Sequence, residues 1–374
     1  MNTIISTNRE DASRRGWQYS LHIDVPLLLG LTGLSILGLV VLYSAGDKDT
    51  ELLMRQFMRL GLAYTVLILT AQVSPRLLQR MAPWLFGIGI ILLTAVLLVG
   101  DTSGGAQRWL DFGIVRFQPS EMMKIAVPMM VAWYLADISL PPNWLHLLGS
   151  VVLILIPTLL IVKQPDLGTS LLIASSGFFA VFLAGLQWRV LTVMAIIVSA
   201  AAPLLWHFMR DYQRQRVITF LNPEQDPLGS GYHIIQSKIA IGSGGIYGKG
   251  WLNGTQSHLD FLPERSTDFI FAVLGEEFGL IGILLLFAFY TLVVVRGIYI
   301  ATQAQDTFTR LLAGSLSMTF FVYIIVNTGM VTGLLPVVGL PLPLISYGGT
   351  SIVTLMAGFG ILMSIHTHRK LLPT

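Results

Sequence analysis

The chain has 374 residues, 54% of them hydrophobic and only 11% charged, with a formal net charge of +3 and a mean hydropathy of +0.71. An ordinary soluble domain carries roughly 25% charged residues, so too little polar side chain exists to cover a water-facing surface, and disorder is excluded by the same numbers. There is no cysteine, which removes disulfide scaffolds, thiolate metal sites and cysteine nucleophiles. The class that remains is a multi-span membrane protein, all-α and polytopic.

Residues 1–25 form a polar, Arg-bearing leader without an A-x-A exit, so the first apolar run reads as a retained anchor and not a cleaved signal. A bilayer core takes about 20 apolar residues in a helix. Ten stretches meet this: 26–46, 57–73, 82–100, 120–137, 146–163, 168–187, 189–209, 267–295, 309–330 and 345–366. Pro119-Ser120-Glu121 reads as an approach, an N-cap and an acidic first turn, and Ser266-Thr267-Asp268 opens the eighth span similarly. The domain plan is a leader (1–25), a ten-helix membrane domain (26–366) and a short tail (367–374).

An even number of spans puts both termini on one side. With the termini cytoplasmic, the inside loops hold Arg9, Arg14, Arg15, Arg76, Arg80, Arg189, Arg296, Arg310, Arg369 and Lys370, while the first outer loop holds Asp47, Asp49 and Glu51. The loop between spans seven and eight, 210–266, is basic, but segments of roughly 60 residues translocate largely regardless of charge. Within it, residues 231–245 read as a short amphipathic helix ended by glycines and lying along the outer surface.

An ionisable group at membrane depth costs about 2.5–3.5 kcal/mol or more, so each needs a partner or a task. Four clusters qualify. Arg108-Trp109-Leu110-Asp111 leads through Arg116 into Glu121 and Lys124, whose i, i+3 spacing puts both on one helix face; a self-satisfied structural pair is the plain alternative. Lys163-Gln164-Pro165-Asp166 joins spans five and six, where Asp166 either caps the next helix or acts in a site. Arg214-Gln215-Arg216, with Lys238 and Lys249, offers either anion binding or a solvated charge cluster. Finally, Pro263-Glu264-Arg265-Ser266-Thr267-Asp268 precedes Glu276 and Glu277. On a continuous helix Glu276 lies about 12 Å along the axis from Asp268 and about 80° around it. Three carboxylates on one span point to function, with a helix-dipole role for Asp268 as the alternative.

Two further signals fail. Gly242-Ser243-Gly244-Gly245 with Gly248-Lys249-Gly250 resembles a phosphate loop, but Ser243 replaces the first glycine and Gly250 follows the lysine instead of Ser or Thr. His366 and His368 read as part of a solvated tail without further metal ligands. Nucleic-acid binding has no basic, aromatic-bearing soluble domain behind it.

At these motifs the chain resembles the SEDS family (shape, elongation, division and sporulation), most closely its elongation-type members. The resemblance is carried in order by Ala106-Gln107-Arg108-Trp109, Phe117-Gln118-Pro119-Ser120-Glu121, Gln164-Pro165-Asp166-Leu167-Gly168-Thr169, Asp211-Tyr212-Gln213-Arg214-Gln215-Arg216, Thr267-Asp268-Phe269-Ile270-Phe271 and Pro341-Leu342-Pro343-Leu344-Ile345-Ser346-Tyr347-Gly348-Gly349. It departs at Ser266, where relatives often carry histidine, which leaves Asp268 as the better acid/base candidate.

The resemblance implies a peptidoglycan glycosyltransferase of the bacterial inner membrane. Such an enzyme polymerises lipid II on the outer face during cell elongation, beside a class B penicillin-binding protein. It implies that Asp268 is the essential aspartate and that Trp109, Glu121, Lys124 and Glu276 matter for substrate, structure or coupling. An α-linked substrate and β-linked product need one inverting displacement, so a single carboxylate suffices, unlike a retaining glycosidase. Arg108, Arg214, Arg216 and Lys238 are the candidates to offset the pyrophosphate charge. No cofactor is expected as obligatory, and Mg²⁺ is expected only as an ion recruited with substrate phosphates. The rival readings are a transporter that flips lipid II and a non-catalytic scaffold; crowding of polar residues toward the outer half, without paired broken helices, favours the enzyme over the transporter.

Overall fold

In a computed structural model of the chain, residues 21–103, 106–111, 116–209, 211–223, 230–258 and 264–368 are described. Most of the leader and residues 369–374, with Arg9, Arg14, Arg15, Arg369 and Lys370, lie outside the described residues, as does Pro263. The helices are α1 (Val25–Ala45), α2 (Thr50–Ala71), α3 (Pro75–Val99), α4 (Pro119–Ala136), α5 (Trp144–Lys163), α6 (Leu167–Leu183) and α7 (Trp188–Phe208). They continue with α8 (Asp211–Leu221), α9 (Ser230–Gly244), α10 (Thr255–His258), α11 (Ile270–Thr302), α12 (Thr307–Val331) and α13 (Thr350–Thr367). Each expected apolar stretch overlaps one of α1–α7 or α11–α13. Among the described residues, seven helices (α1, α2, α3, α5, α11, α12 and α13) are long and apolar enough to cross a membrane. The protein is a multi-pass membrane protein.

Short polar side chains start many of these helices by filling amides that have no partner in the first turn. Asp49 accepts from the Glu51 and Leu52 amides, Asn143 from His146, Asp166 from Thr169 and Asp306 from Thr309. The two starts expected at Ser120 and Ser266 are corrected: α4 is capped at Gln118 with Pro119 inside its first turn, and α11 begins after Phe269. Proline fixes its own φ at a helical value, so the helix starts at Pro119.

The connection between α3 and α4, for which no strand was expected, holds a three-stranded antiparallel sheet in the order β1 (Asp101–Ser103), β2 (Ala106–Asp111), β3 (Arg116–Phe117). In its register Leu110 faces Phe117 and Asp111 faces Arg116, whose side chains form a 3.1 Å ion pair.

Within the bundle α2 packs along α13, and α11 packs against both α1 and α12; α12 also packs on α6. The chain's described ends meet. The His22 ring lies 3.0 Å from the Thr367 hydroxyl and stacks on His368 at 3.9 Å. Buried Asp24 caps α1 and is held by Arg296 at 2.7 Å and His366 at 2.8 Å. Burial alone would raise the Asp24 carboxyl; hydrogen bonds from His366, Arg296 and the Leu27 amide outweigh it and hold it well below the usual range. The solvated-tail reading of His366 is therefore corrected, because the histidine closes a buried ion cluster joining α1, α11 and α13.

The connection between α7 and α11 lies at the opposite end. There α9 lays Gly231, Ile234, Ser237, Ala240 and Gly244 inward, packing on α11 and α12. The segment expected to rest along a surface is thus an integral part of the bundle. Its glycine-rich continuation straps a break in α11 at Gly279 (φ 62, ψ −157). Lys249 and Gly250 amides donate to the Glu276 and Glu277 carbonyls, while Leu280 and Ile281 amides donate to Gly245 and Ile246. Both faces of the break regain backbone hydrogen bonds, which a membrane interior demands. The phosphate-loop look of this stretch has that structural cause.

Replacement of Gly279 by Ala forces a side chain into a backbone region open essentially to glycine and against the Ile246–Gly248 backbone. The expected loss is about 1–3 kcal/mol, measured as a lower thermal midpoint in detergent.

Candidate active site

Asp268 lies in a tight turn, 264–269, immediately before α11. Thr267 and Phe269 amides both donate to the Glu264 carbonyl, and the Thr267 hydroxyl donates to the Glu264 carboxylate at 2.8 Å. The Asp268 side chain is half-buried and faces Gly339, where an added β-carbon would stand 3.6 Å from Oδ2. Among the described residues its carboxylate accepts no hydrogen bond. Burial pushes the Asp268 carboxyl up to about 7; the nearby Glu264 charge adds to the rise and Arg216 opposes it. A carboxyl poised near neutral pH and free to accept a proton has the properties of a general base.

The other acidic groups are occupied. Glu276 is buried and accepts from Lys249 Nζ at 2.7 Å, the Thr255 hydroxyl at 3.0 Å and the Gln256 amide at 3.0 Å. Glu277 accepts from the Ser44 hydroxyl at 2.5 Å. The expected helical relation between Asp268 and Glu276 is corrected: helix geometry does not run through Asp268, and the structure gives Glu276 to the strap beneath the α11 break. Glu121 and Lys124 pair at 2.7 Å inside the bundle, and Lys124 also donates to Tyr323, whose hydroxyl meets Ser351. This ties α4 to α12 and α13, while the second Glu121 oxygen, Oε2, is buried without a hydrogen-bond partner among the described residues.

The basic candidates divide as well. Arg108 on β2 donates to the Pro165 carbonyl at 2.7 Å and stands 3.8 Å from Asp166, to which Gln118 also donates. Asp166 caps α6, so the capping alternative is the one observed. The corner adjoins the Asp268 wall, because Gly168 touches Val338 and Leu340 on either side of Gly339. Trp109, half-buried, pairs with Asp101 across the sheet. Arg214 donates to the Trp206 and His207 carbonyls, capping α7 in the way basic side chains do at helix ends. Lys238 sets the end of its side chain, Cε and Nζ, over Gly333. Of the four basic candidates, only Arg216 acts on Asp268 directly by charge.

An apolar groove of ≈350 Å³ runs between α2, α3, α4 and α13, lined by Leu78, Met81, Leu85, Met122 and Val353 and reaching Phe117, beside the Gln118–Asp166–Arg108 corner. A second apolar groove, ≈500 Å³, opens between α9, α11 and α12 along Ile241, Phe271, Phe287 and Ile325. No group of three or more His, Asp or Glu side chains that could hold a metal ion gathers among the described residues.

A family model for FtsW, RodA and SpoVE, described as cell cycle protein, matches residues 23–371. The chain belongs to the FtsW/RodA/SpoVE family. This is the SEDS family that the motifs resemble. Among relatives, the peptidoglycan glycosyltransferase MrdB of Escherichia coli K12 is 55% identical over 364 residues, 97% of this chain and 98% of that one. The MrdB of Helicobacter pylori J99 is 36% identical, with 93% and 91% covered. A chain of a peptidoglycan synthase complex, solved for the structural coordination of polymerization and crosslinking, superposes with a TM-score of 0.81 at 35% identity over 93% of this chain and 98% of that one. The rod shape determining protein RodA of Thermus thermophilus gives 0.70 at 29% identity over 93% and 98%.

Asn327 and Ser346, which bond the backbone of the Asp268 turn, carry no charge that would single them out in the sequence. A lone amide inside an apolar span was the available signal for Asn327, since polar groups at membrane depth need partners.

Two charge changes test the electrostatics of Asp268. Arg216→Met removes an opposing positive charge and moves the Asp268 titration to higher pH; Glu264→Gln moves it lower. Infrared difference titration of the carboxyl stretch reads both without turnover. Glu276→Ala leaves Lys249 without its carboxylate and is expected to cost about 3 kcal/mol of stability, read by thermal unfolding in detergent.

Proposed function

We propose that this chain is a peptidoglycan glycosyltransferase of the bacterial inner membrane that polymerises lipid II during cell elongation. The observation that carries the mechanism is the Asp268 carboxylate, half-buried against Gly339 and accepting no hydrogen bond among the described residues. In this reading α1–α7 and α11–α13 make ten spans, the termini are cytoplasmic, and the connection 209–269 with the β-sheet faces outward.

Asp268 takes the proton from the acceptor sugar's 4-hydroxyl. That oxygen attacks the anomeric carbon of the growing strand, and the bond to undecaprenyl pyrophosphate breaks as the pyrophosphate leaves. One displacement inverts the anomeric centre and needs no second carboxylate. The groove ending at Phe117 beds the polyprenyl chain, because its apolar lining leads to the polar corner that holds Arg108. Arg108 and Arg216 offset the pyrophosphate charge at that rim, with Lys238 above Gly333. Arg214, Trp109, Glu121, Lys124 and Glu276 act by holding the elements that carry the site. No cofactor is obligatory in this reading; a divalent cation such as Mg²⁺ would be recruited with the substrate phosphates and would share in offsetting their charge.

The partner is a class B penicillin-binding protein that cross-links the strands, docking on the α11–α12 face where the second groove offers apolar surface. Flipping of lipid II is the alternative activity. Purified protein in detergent, given lipid II, a partner with an inactive transpeptidase and a moenomycin-type inhibitor, separates the two. Glycan strands mean polymerisation, since detergent abolishes the compartments that flipping needs.

Asp268→Asn is expected to lower the polymerisation rate by about 10²–10⁴ with unchanged partner binding and thermal midpoint. Polymerisation near the normal rate would remove Asp268 from the mechanism. A general base works deprotonated, so kcat/KM should rise with pH through about 7 and level above it.

A further inference from the structure

The structure assigns Asn327, on α12, as the residue that positions Asp268 for proton transfer, acting with Ser346 and the Tyr347 amide through the backbone of the turn. Three consecutive carbonyls are pegged from three separate sources. The Tyr347 amide donates to Ser266 O at 2.8 Å, the Ser346 hydroxyl to Thr267 O at 2.6 Å and Asn327 Nδ2 to Asp268 O at 3.0 Å. Consecutive carbonyls in such a turn point in different directions, so three donors from different directions leave the chain little freedom to rotate.

Asn327 does more than close one bond. Fully buried, it also donates from Nδ2 to the Leu340 carbonyl at 2.6 Å. Both amide protons are thus spent on the two walls of the same cleft: the turn that bears the carboxylate and the segment around Gly339 that it faces. Its Oδ1 has no hydrogen-bond partner among the described residues. An orphaned acceptor costs free energy, and a flipped amide would instead set oxygen against two carbonyls. The arrangement is retained because two donations to the cleft outweigh one unfilled acceptor. A leucine of similar volume could fill the space but could not set the spacing of the walls.

Ser346 is itself fixed, since its oxygen accepts from the Leu342 amide at 2.7 Å. Gln56 on α2 donates to the Ser346 carbonyl and accepts from the Gly348 amide. The pegs therefore rest on two helices, which is the rigid support that proton transfer geometry requires.

This inference rests on Asp268 being the general base, and the experiment keeps the two apart. Asn327→Leu, Ser346→Ala and Asp268→Asn are each assayed with lipid II and an inactive-transpeptidase partner across pH 5–9, with thermal midpoints and partner binding measured in parallel. Asn327→Leu should lower kcat by 10-fold or more with KM changed less than 3-fold. Its acid limb should move at least one pH unit toward the ordinary carboxylate range, as the loosened turn lets Asp268 reach water. Ser346→Ala should show the same two changes in smaller degree. A kcat within 3-fold of the parent in Asn327→Leu, or a lower kcat that follows the thermal midpoint with an unmoved limb, overturns the positioning role. If Asp268→Asn still polymerises, the general-base reading has failed and takes this inference with it; an inactive Asp268→Asn beside an unaltered Asn327→Leu sinks the inference alone.

Discussion

A carboxylate removed from bulk water needs donors, and the buried or half-buried acidic groups at the ends and inside of this bundle have them. Asp24 has Arg296, His366 and the Leu27 amide; Glu121 has Lys124; Asp166 has Gln118 and the Thr169 amide. Glu276 has three donors and Glu277 a serine hydroxyl. Asp268 alone in this set accepts no hydrogen bond among the described residues. The contrast sets Asp268 apart from the carboxylates that tie elements together, because a satisfied carboxylate resists protonation and a desolvated one does not.

The architecture serves that exception from several directions. The α9–α10 connection restores the backbone hydrogen bonds of the α11 break, which fixes how α11 leaves the turn carrying Asp268. The sheet between α3 and α4 brings Arg108 to the α5–α6 corner, and Gly168 then presses that corner against Val338 and Leu340. The ion cluster at Asp24 ties α1, α11 and α13 at the opposite end.

The spans were legible because a bilayer allows few solutions: roughly 20 apolar residues, or a helix whose polar groups are paired. Even so, boundaries moved. α2 begins at Thr50, seven residues ahead of the expected 57, and carries Glu51 and Arg55 as an i, i+4 pair. α11 starts at Ile270 and runs to Thr302 across a break that hydropathy cannot register. Asp268 and the basic residues of the connection between α7 and α11 were also visible as costly charges in or beside apolar sequence.

By itself the sequence determined the class of molecule, the course of its apolar helices and the aspartate worth suspecting, since hydropathy and the cost of unpaired charge are local properties. Only the tertiary structure decided which charges cancel one another: Glu276 goes to Lys249, Arg214 to the end of α7, His366 to Asp24, and nothing among the described residues donates to the Asp268 carboxylate. Those pairings join residues up to 342 positions apart in the case of Asp24 and His366, and no spacing rule along a chain can anticipate which distant donor folding will bring within 3 Å.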